Sequence, residues 1–196
     1  FYNRIAEAFL IIILACILLS FIIRHKNRYL KIILMERKMK TLVTYSSQTG
    51  NTLKLAQKIY DTIKGEKDIF PMDQAPPCEE YDLIAVGFWF QAGKPDPKAI
   101  DYLPKLNNNS NVFFFASHGA AKGSDHVKNA VDYAINLTNN ATIAGVFTCQ
   151  GEVNPKVLEK VKQKPEPPVW IKDADSAIGH PNEDDLSALA QIITKL

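Results

Sequence analysis

The stretch Thr41-Leu-Val-Thr-Tyr-Ser-Ser-Gln-Thr-Gly-Asn-Thr52 decides the fold. Its first five residues are apolar or β-branched and predict a short strand, 41–45. Its last seven, Ser46 to Thr52, are hydroxyls, amides and one glycine. They run directly into a segment in which Leu53, Ala56, Ile59, Tyr60 and Ile63 share one face at helical spacing, predicting a helix over 52–64. A polar turn between strand and helix places unpaired N–H groups and the positive end of the helix dipole where an anion can sit. Gly50 lets the backbone approach such a group closely. The loop contains no lysine or arginine, so a phosphate there would be held by neutral donors. Neither GxxxxGK[ST] nor GxGxxG is present, which argues against nucleoside triphosphates and dinucleotides. A plain polar turn capped by Thr49 or Thr52 is the structural alternative; the position after a first strand favours the phosphate.

The pattern continues outward from this loop. Asp68–Pro71 predicts a brief second strand, and Leu83-Ile-Ala-Val-Gly-Phe88 a third with no charge in it, as a sheet covered on both faces requires. Val112–Ala116 and Thr142–Thr148 predict two more strands. Helices are expected after Asp96-Pro97, over 124–137, after Asn154-Pro155, and from Pro181-Asn182 to the end; a capping Asp or Asn followed by Pro is a helix start. Residues 163–181 are Pro-rich and irregular. Five strands alternating with helices predict an α/β, doubly wound, five-stranded parallel sheet, whose ligands bind beyond the carboxyl ends of the strands.

The chain has 196 residues and a formal net charge of +2. Residues 1–39 hold seven basic and two acidic residues, including all four arginines; residues 40–196 hold sixteen lysines against nineteen acids, a net of −3. A domain of that charge has no basic excess suited to nucleic acid. Cys16, Cys78 and Cys149 are isolated, which indicates neither a metal site nor a disulfide framework and fits a reducing cytoplasm. Ala8–Ile23 is uncharged and is followed by Arg24, His25, Lys26, Arg28 and Lys31. Two readings of residues 1–38 stand side by side. Residues 5–23 are a membrane anchor that leaves the following domain in the cytoplasm. Alternatively, the segment is an upstream extension in frame with a start at Met39. Residues 39–196 are the expected domain in either case.

Ser47-Gln-Thr-Gly-Asn-Thr52 resembles the phosphate fingerprint of the flavodoxin family, and Tyr81-Asp-Leu-Ile-Ala-Val-Gly87 resembles the approach to that family's third strand. Phe147–Gly151 and Gly179–Asp184 are similar to stretches in small flavodoxin-like proteins of anaerobic bacteria. The resemblance implies strand order 2-1-3-4-5 and FMN as cofactor, with Ser47, Gln48, Thr49, Gly50, Asn51 and Thr52 at its phosphate. The loop after the third strand, Gly87-Phe-Trp-Phe-Gln-Ala-Gly-Lys94, then faces the isoalloxazine. Trp89 and Phe90 are the stacking candidates, and Gly93 matches the family's redox-sensitive glycine. Gln91 stands where the family often has an aromatic residue, and Phe88 reads equally as the buried end of a strand. Ser117, His118 and Gly119 open the third loop, Ser117–Ser124, which has no aromatic residue; Trp170 could supply one. His118 is a ligand contact or a structural hydrogen bond. Lys94, Lys122 and His118 offset Asp96 and Asp125, which predicts a flavin potential less negative than in strongly acidic flavodoxins.

No catalytic acid–base pair stands out. The leading expectation is an electron carrier that serves a redox partner protein or reductase. The alternatives are an FMN-dependent oxidoreductase acting on a quinone, NAD(P)H or a protoporphyrinogen-like substrate, and a flavodoxin-fold module that has lost its cofactor.

Overall fold

In the computed structural model, five parallel strands run in the order β2-β1-β3-β5-β6. They are β1 (Lys40–Tyr45), β2 (Glu66–Pro71), β3 (Leu83–Gln91), β5 (Asn111–His118) and β6 (Thr142–Gln150). The two-residue β4 (Lys94–Pro95) folds back antiparallel on the end of β3. Counting only the parallel strands, this is the expected 2-1-3-4-5 order. The structure describes residues 18–26, 28 and 39–196. Residues 18–26 and 28 are helical; the rest of the apolar leader, and with it the choice between anchor and extension, falls outside the described residues. No helix among the described residues is long and apolar enough to cross a membrane. Residues 39–196 form a compact unit of their own.

Successive strand residues point to opposite faces of the sheet, so each apolar strand feeds two cores. On one face Val43, Ala85, Phe113, Phe115 and Cys149 pack under α1 (Asn51–Thr62) and α5 (Glu183–Ile193) through Leu55, Ile59, Leu189 and Ile193. On the other face Leu42, Ile84, Val86, Phe88 and Phe114 meet α2 (Pro97–Tyr102) and α3 (Asp125–Leu137) through Ala99, Tyr102 and Ala134. Each fully buried Leu, Ile, Val or Phe contributes roughly 1.5–3 kcal/mol. The sheet centre is tight. A Cβ on Gly87 would lie 2.1 Å from the Phe115 ring, so this strand position admits only glycine without a shift of the ring.

The helix starts follow their signals. Asp96 caps α2 by accepting from the Lys98 amide, and Asn154 caps α4 (Pro155–Lys162) by accepting from the Lys156 amide. Asn182 and Asp185 close a reciprocal capping box at α5. The 163–181 segment contains two short 3₁₀ turns, Val169–Asp173 and Asp175–Ala177.

One element differs from expectation. β3 runs three residues past Phe88, because Phe90 and Gln91 pair with Pro95 and Lys94 across a two-residue loop. Ala92 (φ 51°) and Gly93 (φ 77°) both have positive φ, as a tight hairpin of this kind requires. The hairpin docks on α3: Lys94 Nζ lies 4.9 Å from the centre of the Tyr133 ring, and a Cβ on Gly93 would come within 3.2 Å of the His126 ring.

Candidate functional site

The carboxyl ends of β1, β3 and β5 open into one cleft of ≈ 750 Å³, mouth included. One end is the turn after β1. Gly50, with φ 91°, is the N-cap of α1, and no side chain caps that helix start. The first-turn N–H groups are thus left to backbone and ligand, apart from a 3.3 Å bond from the Leu53 amide to Ser47 Oγ. Gln48, Thr49, Asn51 and Thr52 line the cleft at this end. Two of these side chains are already engaged: Asn51 Nδ2 donates to the Glu152 carbonyl (2.9 Å), and the Thr52 and Ser117 hydroxyls share a bond of 3.0 Å. Ser47 borders an adjoining hollow with Ser46, Gln48 and Lys98. Lys98 in turn is paired with Asp73 at 2.8 Å. The turn offers neutral donors at an open helix terminus, an arrangement that can hold an anion.

The other end is aromatic. Trp89, Phe90, Gly93, His118, Gly119, His126 and Trp170 contribute to its wall. Phe90 stacks on His118, with ring centres 5.2 Å apart and planes inclined by 22°. A Cβ on Gly119 would meet Val153 at 2.6 Å and the Trp170 ring at 3.3 Å, so glycine is what lets Trp170 approach this loop. Trp170 is held there by its segment. The Ala121 amide donates to Asp173 Oδ2 (3.2 Å), and Gln150 Nε2 donates to the Asp173 carbonyl and to Ser176 Oγ.

His118 is 96% buried, being 4% exposed. Burial pulls its imidazole down from 6.5 to about 4; the Ala120 carbonyl opposes that shift, and His126 adds to it. The ring is therefore neutral at physiological pH. Nδ1 lies 3.0 Å from the Ala120 carbonyl, which can only accept, so Nδ1 carries the hydrogen. Nε2 is then a bare acceptor, and it has no partner.

Asp96 ties the two ends together. Its carboxylate, 1% exposed, accepts from Ser46 Oγ (2.8 Å), from the Lys98 amide (3.1 Å) and, at 3.4 Å, from the Trp89 amide. The Asp96 amide donates to the Trp89 carbonyl in return (3.0 Å). One side chain thus joins the start of the polar turn to the start of the aromatic loop.

Ten of the fourteen expected contact residues line the cleft: Gln48, Thr49, Asn51, Thr52, Trp89, Phe90, Gly93, Ser117, His118 and Gly119. Phe88 does not. It is fully buried in the sheet core, edge-on to Phe114, because its strand face is covered by α2 and α3. Gln91 is exposed in the hairpin and borders the adjoining hollow with Ser47, while Gly50 acts through its backbone at the helix cap. His126, Val153, Asn154 and Val157 also line the cleft and were not anticipated. Asn154-Pro155 marks a helix start in the sequence, but nothing local says that this helix returns to the cleft.

These features agree with the known proteins the chain resembles. A family model described as a flavodoxin domain matches residues 42–194. The flavodoxin-like domain-containing protein BilS of Clostridioides difficile (strain CD3) is 30% identical over 159 residues, covering 76% of this chain and 90% of that one. A solved short-chain flavodoxin associated with a PDU bacterial microcompartment superposes with a TM-score of 0.54 at 15% identity, over 79% of this chain and 95% of that one. The flavodoxin of Streptococcus pneumoniae TIGR4 does so with a TM-score of 0.52 at 16% identity, over 78% and 94%. At such identities the two structures speak for the fold, and the family match carries the assignment: the chain belongs to the flavodoxin domain family.

Proposed function

We propose that the cleft of residues 39–196 binds FMN and that the protein carries electrons between larger redox enzymes in the cytoplasm. The observation that carries this reading is the pairing of two chemistries in one hollow. A helix start with no side-chain cap from its N-cap residue suits a phosphate, and an aromatic wall on the next strands, β3 and β5, suits a flat ring. Gln48 and Thr49, with the first-turn backbone of Gly50, Asn51 and Thr52, take the phosphate. Ser47 props the turn from the side. Trp89, Phe90, Gly93, Ser117, His118 and Gly119 surround the ring, and Trp170 closes the far side. The bound flavin supplies the redox chemistry; the protein binds it, orients it and limits water at its edge.

Carriage needs no acid–base pair, which suits a site whose buried histidine is held neutral. It needs a partner surface, and a reductase or a redox enzyme is the expected partner. An absorbance spectrum of the purified protein mixed with FMN, followed by stepwise reduction, tests this reading. Tight binding with two resolved one-electron steps is the expected result. A single two-electron step with turnover of NAD(P)H alone would replace the carrier by a direct oxidoreductase. Failure to bind FMN would overturn the cofactor itself.

A further inference from the structure

Among the described residues, His118 lines the cleft and its ring nitrogen Nε2 is buried without a hydrogen-bond partner. A buried acceptor without a donor costs roughly 1–3 kcal/mol, so its retention beside a ligand cleft asks what the ligand brings to it. The fixed tautomer narrows the answer. With Nδ1–H spent on the Ala120 carbonyl, Nε2 can only accept, and the incoming group must be an N–H or O–H donor.

Position narrows it further. His118 ends β5, two strands from the phosphate turn after β1, a separation of about 9–10 Å. Its ring lies flat on Phe90, next to the hairpin glycine and His126. That is the ring end of the cleft. The oxidised isoalloxazine has a single N–H, at N3; its other ring heteroatoms only accept, and its remaining donors are hydroxyls of the ribityl chain nearer the phosphate.

Resting on the FMN reading above, we propose that His118 is a specificity-determining residue that accepts a hydrogen bond from flavin N3–H. The site then selects a flat heterocycle with an imide-like N–H at its edge and rejects rings that are capped there. The role is one of recognition: His118 transfers no proton and holds the pyrimidine end of the ring in place.

The test compares FMN with N3-methyl-FMN, which lacks only that donor. Dissociation constants are measured by fluorescence for the full-length protein and for His118→Phe and His118→Gln. A hydrogen bond of about 1.4 kcal/mol corresponds to tenfold in affinity. Wild type is expected to bind FMN at least about tenfold more tightly than N3-methyl-FMN. His118→Phe should bring the two ligands within about twofold, and His118→Gln, which keeps an acceptor, should restore part of the preference. The ¹⁵N resonance of His118 Nε2 in the wild type should move on adding FMN and stay in place with N3-methyl-FMN; it decides the matter even where a variant does not fold. Equal ligand preference in wild type and His118→Phe, or an Nε2 resonance indifferent to FMN, overturns the proposal while leaving FMN binding intact. A wild type that binds neither flavin overturns the FMN reading and this proposal with it.

Discussion

The two ends of the cleft are built in opposite ways. The end proposed for the phosphate is a contiguous run, Ser46 to Thr52, and it offers backbone N–H donors at a helix start. The end proposed for the ring is gathered from segments as distant as Trp89 and Trp170, and it offers side chains whose positions depend on strand register and on a pinned excursion. A local site survives wherever its strand–turn–helix forms. A dispersed site exists only when the whole sheet is in register. Asp96 and the Thr52–Ser117 bond are the points at which one end constrains the other.

The contrast breaks most visibly if a charge enters the local end. A carboxylate beside a phosphate dianion is strongly repelled, and no cation in the turn screens it. Thr49→Asp is expected to weaken FMN by at least about 1,000-fold, roughly 4 kcal/mol, while riboflavin, which has no phosphate, changes by less than about threefold. Equal losses for both ligands in a binding titration would show that the turn also shapes the ring end.

Next in size is the pH response of the dispersed end, where His118 is the buried titratable group. Its native value of about 4 lies below the unfolded value of 6.5. Between these limits the unfolded chain binds more protons, so this residue's contribution is fully present above about pH 6.5 and is lost as the pH falls toward 4. The loss amounts to about 3 kcal/mol. Urea unfolding of wild type and His118→Gln at pH 7 and pH 4 should show the wild type losing that much more than the variant. Parallel losses would remove His118 from the account.

The smallest effect sharpens the comparison at its most remote member. Trp170→Ala removes an aromatic wall that packs close against Gly119. FMN and riboflavin should both weaken by about tenfold in the same titration, the mirror image of Thr49→Asp. A loss confined to FMN would move Trp170 to the phosphate end.

Legibility followed the same division. The strands, the helix starts at Asp96, Asn154 and Asn182, and the polar turn could be read because each signal lies within a few residues of its effect, whereas the strand order came from the family resemblance. Asp96 was readable as a helix cap, but its bond to Ser46 spans 50 positions, and no local pattern marks it. Phe88, Trp89 and Phe90 look alike in sequence. Alternation sets Phe88 and Phe90 on one face of β3 and Trp89 on the other; Phe88 is buried between sheet and helices, and Phe90, stacked on it nearer the hairpin, also reaches the cleft. The hairpin itself was missed because Ala92 takes a positive φ that alanine rarely adopts. The charges named around the flavin loops also sort differently in space. Lys94 lies over Tyr133, Asp125 pairs with Lys128, the buried Asp96 borders the adjoining hollow, and Glu152, unnamed from the sequence, lines the cleft itself.

Filling the cleft with a phosphate ester changes how the molecule behaves in bulk. A phosphate monoester carries about −1.5 to −2 charges near neutrality, and this turn has no lysine or arginine to cancel them. Loading adds that charge to the whole particle, and within the turn it meets no opposing side-chain charge. Empty and loaded protein would migrate as two separate species in a native gel or on an anion exchanger, and cofactor occupancy could be read from mobility without light absorption at all.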